Sequence, residues 1–380
     1  MKVCPYCFDD YDLRQVHWRC SDLNGVHCKF EPDTILGEYR GRPTEPMAHT
    51  FEVKGHAWWP RRTARCPNGQ LTRTRICPHC HNTLPHNVEQ VSDDIVGIYG
   101  ARQSGKTQYI ATVVDSLGDE VLPAMDLQLC ALSEETIRRR RAMHARLWGE
   151  LRCLEFTRIA PNADPLMFGV RGAGKFRQNL ILYDTAGEAF GTNLEKRDTL
   201  YLLRARGLAI LLDPFQIPVV RQVLGSQGVE MPPLVERGPA ELVAQFVRDY
   251  MRVTPQGRGR RIDIPVALTV TKIDALLKGG LLDKSHPVAS PARYDGGFHV
   301  KEHAQVAGYM REKLLEWEQA QLVKTVDLYF RDHTFCGVSA LGQNPRRLES
   351  DMVLDREPAP LRVADPFIWL LARLGTITAR

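Results

Sequence analysis

The run Gly100-Ala101-Arg102-Gln103-Ser104-Gly105-Lys106-Thr107 carries the pattern G-x-x-x-x-G-K-T, and its chemistry is the capture of phosphate. Glycines at both ends let the backbone wrap an anion so that successive N–H groups point inward. A lysine adds a reaching positive charge and a threonine hydroxyl offers a magnesium ligand. On this reading Gly100, Arg102, Gln103, Ser104, Gly105 and Gln108 surround the phosphates, Lys106 reaches the β- and γ-phosphates, and Thr107 holds magnesium. Such a loop needs a strand before it and a helix behind it. The apolar stretch Ile95–Tyr99 predicts a buried strand, and Gln108 to Leu117 predicts a helix whose N-terminus faces the anion.

Three later segments choose the base and the reaction. The apolar Leu180-Ile181-Leu182-Tyr183 runs into Asp184-Thr185-Ala186-Gly187-Glu188, where Asp184 would bind the magnesium through water and the Gly187 N–H would touch the γ-phosphate. Val266–Val270 runs into Thr271-Lys272-Ile273-Asp274. A carboxylate there can accept two hydrogen bonds from guanine N1–H and N2–H₂, which adenine does not offer, and the stem of Lys272 can cover the base. Gly337-Val338-Ser339-Ala340-Leu341 follows Phe335 and Cys336, with the Ala340 N–H aimed at guanine O6.

Taken in this order, each at a strand end, the motifs resemble those of the Ras-like and translation-factor-like GTPases from Ser92 to the C-terminus. The resemblance implies an α/β fold, a Ras-like P-loop GTPase sheet with helices on both faces. It also implies GTP and GDP as ligands, magnesium as cofactor, and in-line attack of water on the γ-phosphate. Three residues depart from the family pattern. Thr271 stands where the family has Asn, which keeps a short hydrogen-bonding side chain. Glu188 replaces the water-positioning Gln of Ras-type enzymes, and Arg102 occupies the place of a small Gly beside the γ-phosphate. The last two bear on the hydrolysis rate, which is expected to be low without an activator. The magnesium-binding Thr of the first switch is assigned to Thr157, with Thr136 as competitor. Ser133-Glu134-Glu135-Thr136, however, reads as the acidic first turn of a helix running to about Glu150. The segment 164–170 is expected to be the sheet's edge strand, antiparallel to 179–183.

The cysteines set the domain organisation. Cys4, Cys7, Cys20, Cys28, Cys66, Cys77 and Cys80 precede the phosphate loop, while Cys130, Cys153 and Cys336 are scattered behind it. This divides the chain into a small zinc-binding domain, 1–90, and a GTPase domain, 91–380, with insertions in the first-switch region and near 279–297. Cys4-Pro5-Tyr6-Cys7 and Cys77-Pro78-His79-Cys80 are matching Cys-Pro-x-Cys knuckles, each aiming two thiolates at one point, as a closed tetrahedral zinc site requires. A disulfide framework would need an oxidising compartment, and Met1-Lys2-Val3-Cys4 opens no signal peptide, so a cytoplasmic location is expected. Cys20, Cys28 and Cys66 could form a second zinc site with a histidine such as His17, His27 or His56, since Cys66-Pro67-Asn68-Gly69 looks like a knuckle whose second Cys has become Gly.

At 380 residues, with 43% hydrophobic content and a formal net charge of +5, the chain has ample material for a core and no strong charge bias. Trp18, Trp58, Trp59, Phe8, Phe30 and Phe51 lie among Arg61, Arg62, Arg65, Arg73 and Arg75. That mixture can stack on single-stranded nucleic acid, but a small zinc domain also needs aromatics for its core, and this second reading is preferred. Arg138–Arg141, spread round a helix, suits a solvated or partner-facing surface inside the first-switch region. Helices are expected over 191–206, 239–253, 301–321 and 365–374, and a strand over 207–213. No apolar run reaches the roughly 20 residues needed to span a bilayer. The partners implied are guanine nucleotide and a protein that senses the switches. A nucleotide-gated scaffold and a nucleic-acid-associated GTPase are the alternative classes. A zinc-knuckle domain before a GTPase with a long first-switch insertion is also similar to bacterial double-GTPase-type and GTPase-associated proteins of conflict systems.

Overall fold

Apolar strands that are buried on both faces build the centre of the molecule. In the computed structural model, which describes residues 1–22, 24–53, 59–91, 93–101, 104–155, 164–183, 197–235, 237–254, 261–349 and 351–379, seven strands form one sheet. They are β1 (Asp93–Gly100), β2 (Leu127–Ala131), β3 (Leu166–Gly172), β4 (Lys175–Leu182), β5 (Gly207–Leu212), β6 (Val266–Val270) and β7 (His333–Gly337), in the spatial order β2-β3-β4-β1-β5-β6-β7. β4, β1, β5, β6 and β7 run parallel, and β3 is antiparallel to both of its neighbours, β4 and β2. Parallel strands need cover on both faces, which accounts for their nearly unbroken Val/Ile/Leu runs. On β5, Leu208, Ile210 and Leu212 join one core with Tyr99, Ile181, Phe246 and Met310, while Ala209 and Leu211 join the other with Val96, Ile98, Ile110, Val113 and Phe367.

The helices divide accordingly. α1 (Lys106–Ser116) and the closing helix Asp365–Arg373 cover the second face, and Arg197–Arg204, Pro239–Val253 and Val300–Glu316 cover the first. The fold is thus the expected α/β sheet with helices on both faces. Ser133 caps helix Glu134–His144 by accepting the Thr136 N–H at 3.1 Å, so Thr136 is part of a capped helix start.

Two expectations are corrected. The segment expected at the sheet edge does pair antiparallel with β4, Leu166 opposite Leu182 and Gly169 opposite Asn179, but β2 adds a further strand outside it. The helix expected over 301–321 ends at Glu316, because Glu318 turns left-handed with φ 61° and Leu322, Val323 and Val326 reach the core only from a second helix, Ala320–Tyr329.

The N-terminal residues pack round Trp18 in a small sheet of Thr50–Phe51, His17–Arg19 and Arg75–Ile76. Arg75 stacks on Trp18 at 5.2 Å, which favours the core reading of these aromatics, although Trp59 is 82% exposed. This module is built into the sheet rather than tethered beside it. Asn87 and Asn179, both fully buried, exchange two amide hydrogen bonds of 2.7 and 2.9 Å. The Tyr183 hydroxyl donates to the Pro5 carbonyl, and the Phe8 ring lies 5.5 Å from that of Tyr183.

Candidate nucleotide site and zinc centres

The strand order reverses at β1, whose neighbours β4 and β5 both run parallel to it, and a crevice at the carboxyl ends of such strands is where open α/β sheets take ligands. The phosphate-loop motif leaves β1 there, the Asp274 segment leaves β6 and the Ser339 segment leaves β7. β4 ends at the same edge, at Leu182. Arg102, Gln103, Thr157, Asp184, Gly187 and Glu188 lie outside the described residues, as do His56 and Trp58.

The glycines of the loop have separate reasons. A Cβ on Gly100 would sit 2.8 Å from Ser104 Oγ and 2.9 Å from the Leu211 carbonyl oxygen, and Gly105 has φ 86°. Gly100→Ala is therefore expected to displace the loop and weaken nucleotide binding by about 1–3 kcal/mol, readable as a 10- to 100-fold rise in the Kd of a fluorescent guanine nucleotide. Lys106 Nζ donates to the Gly100 and Ala101 carbonyls at 2.8 and 2.9 Å, so the ammonium lies across the loop it would serve. Ser104 Oγ is buried without a hydrogen-bond partner among the described residues. The Gln108 side chain is committed elsewhere, bonding both the N–H and the carbonyl of Leu154 at 3.1 and 2.8 Å, which anchors the chain at Leu154. Its own backbone N–H is what it can offer a phosphate.

Thr271 Oγ1 lies 3.3 Å from the Ser104 carbonyl oxygen and 3.2 Å from that of Leu212. The hydroxyl that stands in for the family's Asn ties the phosphate loop to the end of β6. Lys272 is left-handed at φ 56°, and its Nζ pairs with the buried Asp213 at 2.8 Å and lies 4.7 Å above the Phe215 ring. Asp213 was not expected in the site; its signal is the carboxylate that ends an apolar strand at Leu212-Asp213-Pro214. Ser339 Oγ accepts the Gly342 N–H at 2.9 Å and donates to Asp274 Oδ1 at 2.6 Å. Asp274 Oδ2 is buried and has no partner among the described residues. A buried carboxylate oxygen without a partner is costly, and a ligand donor aimed at it would relieve that cost. Ser339 therefore orients the carboxylate. Ala340 and Leu341 follow it in the same loop.

At the other end of the chain, Cys4, Cys7, Cys77 and Cys80 bring four Sγ atoms within 4.8 Å of one another. The Cys4–Cys80 and Cys7–Cys77 separations are both 3.7 Å, close to the edge of about 3.8 Å of a tetrahedron with Zn–S bonds near 2.3 Å. The two knuckles repeat each other. The Cys4 and Cys77 N–H groups each donate at 2.9 Å, to Asp9 and Asn82. The Tyr6 and His79 N–H groups each point at the preceding cysteine sulfur at 3.4 Å, and Phe8 and His81 are both left-handed. Burial pushes the Cys4 thiol well up, whereas hydrogen bonds from Cys4, Cys7 and Cys77 hold Cys80 well below the usual thiol value. The donor set fits a structural zinc ion.

The second group is corrected in its histidine. Among the described residues it is His49, and neither His17 nor His27, that stands with Cys20 and Cys28; His56 lies outside them. His17 is engaged by His81 at 3.2 Å and Glu52 at 3.2 Å, and His27 is exposed.

Fold and site together describe a P-loop GTPase. The chain belongs to the Double-GTPase 2 family, whose sequence profile matches residues 94–327. It is 25% identical over 239 residues to a Mycolicibacterium smegmatis protein named "Putative ESX-1 scaffolding and assembly protein SaeC", a match covering 59% of this chain and 60% of that relative's length. Among solved structures it is similar to the Arl6 BBS3 small GTPase of Trypanosoma brucei, at 11% identity and TM-score 0.32 over 76% of this chain and 100% of that one. It is also similar to the S. cerevisiae Ski7 GTPase-like domain, at 11% identity and TM-score 0.36 over 75% of this chain and 51% of that one. Among the described residues no helix is long and apolar enough to cross a membrane.

Proposed function

We propose that the protein is a magnesium-dependent, guanine-specific switch that hydrolyses GTP slowly and presents its nucleotide state to a protein partner. The observation that carries this reading is the Asp274 carboxylate, one oxygen fixed by Ser339 and the other buried without a partner among the described residues, at the same sheet edge as the phosphate loop. In this proposal Gly100 to Gln108, with Lys106 foremost, hold the phosphates, and Thr271, Lys272, Asp274, Ser339, Ala340 and Leu341 form the base site. Thr107, Asp184 and Thr157 are the residues that would hold magnesium, which when bound neutralises charge on the β- and γ-phosphates. Gly187 donates its N–H to the γ-phosphate. Zinc held by Cys4, Cys7, Cys77 and Cys80 is structural. The role in bacterial conflict systems belongs to the same proposal and rests on the resemblance in architecture.

Intrinsic turnover is expected to be slow. Glu188 sets a carboxylate where Ras-type enzymes orient water with a neutral amide, and an anion beside the γ-phosphate opposes hydroxide-like density. The expected unassisted rate is on the order of 10⁻³ per second, comparable to Ras without its activator. Single-turnover assays test this. A wild-type rate above roughly one per second that collapses in Arg102→Gly would instead make Arg102 an arginine finger in cis, an effect of about 10³ to 10⁵ elsewhere. Binding itself is tested by titrating wild type and Lys106→Ala with fluorescent GTP and ATP analogues. Equal affinity of the wild type for both would overturn the guanine reading.

A scaffold whose GTP state displays a surface, with hydrolysis incidental, is favoured by one observation. Tyr183, immediately before the Asp184 segment, is bonded to Pro5 and stacks at 4.9 Å on Tyr201, so the zinc module touches the root of the second switch. The scaffolding role in the mycobacterial relative's name suits this variant. Mutants with abolished turnover but intact GTP-dependent partner capture would favour it.

A further inference from the structure

We propose that Cys20, Cys28, Cys66 and His49 hold a second zinc ion, a three-thiolate, one-imidazole centre separate from the four-thiolate one and independent of the GTPase reading. Each ligand is delivered by a different piece of backbone. Strands His17–Arg19 and Thr50–Phe51 pair antiparallel with Arg19 opposite Thr50, and one step further the Cys20 N–H donates to the His49 carbonyl at 3.1 Å. Residues facing each other across an antiparallel pair project to the same side, which sets the Cys20 thiol beside the His49 imidazole. Cys28 comes from a loop closed on Asp22, whose carboxylate accepts the N–H groups of Asn24, His27 and Cys28 at 3.1, 2.7 and 2.8 Å. Cys66 begins a tight turn in which its N–H donates to Gln70 and the left-handed Gly69 donates back to it, both at 2.9 Å.

The sulfur geometry agrees with a shared ion. Cys28 Sγ lies 3.7 Å from Cys66 Sγ and 3.3 Å from Cys20 Sγ, and the ligand atoms of Cys20, Cys28 and His49 all fall within 4.8 Å of one another. Gly69 occupies the place that Cys7 and Cys80 take in the other knuckles, so this turn supplies one thiolate and the imidazole makes up the number. Supporting hydrogen bonds also repeat. Asn68 Nδ2 donates to Cys28 Sγ at 3.4 Å, as Asn82 Nδ2 does to Cys80 Sγ at 3.3 Å in the first centre, and such partners orient metal ligands. The three cysteines are at most 5% exposed, and apart from them only Ala48, with half-buried Phe30 and Phe51, fills this corner among the described residues. That is too little apolar material to hold this corner together unaided. Thiolate and imidazole donors in a closed tetrahedral set select zinc.

The test is metal counting on the full chain purified under reducing conditions. Wild type is expected to carry two zinc ions, as are His17→Ala and His27→Ala, whereas His49→Ala drops to one with guanine nucleotide binding retained. Should His49→Ala not fold, His49→Cys restores a ligand. It is then expected to keep two ions and to shift the visible bands of the cobalt-substituted protein toward the four-thiolate pattern. One zinc in the wild type, two in His49→Ala, cobalt bands unmoved in His49→Cys, or a Cys20–Cys28 disulfide by thiol titration would each overturn the proposal.

Discussion

Cys77→Ser is expected to strip zinc from the first centre, unfold residues 1–90 and lower the melting temperature of the whole chain, with guanine nucleotide still bound but more weakly. A structural zinc site contributes on the order of 10 kcal/mol to the fold around it. Two independent domains divided at residue 90 would confine the damage to the first. The packing says otherwise, because the first knuckle is part of the GTPase core. Phe8 is buried in the cluster that contains Tyr99, Ile181 and Tyr183, Pro5 accepts from Tyr183, and the Asn87–Asn179 amides satisfy one another only while both halves are in place. Uncovering an aromatic such as Phe8 corresponds to about 3–5 kcal/mol, and losing the two hydrogen bonds of the Asn87–Asn179 pair adds about 1–3 kcal/mol. Zinc content, thermal unfolding with and without GTP, and the Kd of a fluorescent GDP analogue measure the effect. A native protein without zinc, or a Cys77→Ser variant that melts like the wild type, would sink it. Melting that changes only for residues 1–90, followed by hydrogen exchange, would restore the independent-domain picture.

What the sequence announced and what it hid divide along physical lines. The parallel strands were legible because a strand covered on both faces must be apolar throughout, as Leu208 to Leu212 and Val266 to Val270 are. The site loops were legible because phosphate capture and guanine reading leave so few residue choices at fixed spacing. β2 escaped because Leu127-Gln128-Leu129-Cys130-Ala131 is short and has no β-branched or aromatic residue to mark a strand, and its place is set by pairing with β3. The helix expected over 301–321 was carried past its end at Glu316 because nothing in Trp317-Glu318-Gln319 advertises a left-handed turn, and the helix Ala320–Tyr329 beyond that turn was not expected. His49 escaped because its neighbourhood with Cys20 is made by strand pairing across a long loop, whereas His17 and His27 are near the cysteines only along the chain. The Asp213–Lys272 pair was hidden similarly, being a contact between the ends of adjacent strands β5 and β6.

Asp274→Asn is expected to exchange guanine for xanthine specificity, and the geometry says which way the new amide will point. Ser339 Oγ accepts from the Gly342 N–H and therefore turns its own proton toward Oδ1 of residue 274. An asparagine there keeps its carbonyl on Ser339, which puts Nδ2 where Oδ2 is now buried without a partner among the described residues. That position is the one from which the carboxylate would accept guanine N1–H and N2–H₂. An amide nitrogen in its place cannot accept and instead donates to the 2-oxo group of xanthine. Two hydrogen bonds to a charged acceptor, at about 1.5–3 kcal/mol each, make the expected loss of GTP affinity about 10² to 10⁴-fold, with a gain for xanthosine triphosphate. Ser339→Ala leaves the carboxylate but frees its rotamer, and a milder loss of about tenfold for GTP without any gain for xanthosine triphosphate is expected. Competition of a fluorescent GDP analogue by GTP, ATP and xanthosine triphosphate across the three proteins reads all of this at once. Lys106→Ala, which alters only the phosphate end, lowers every triphosphate together. If Asp274→Asn instead behaves like Lys106→Ala, Asp274 supports the loop and does not read the base.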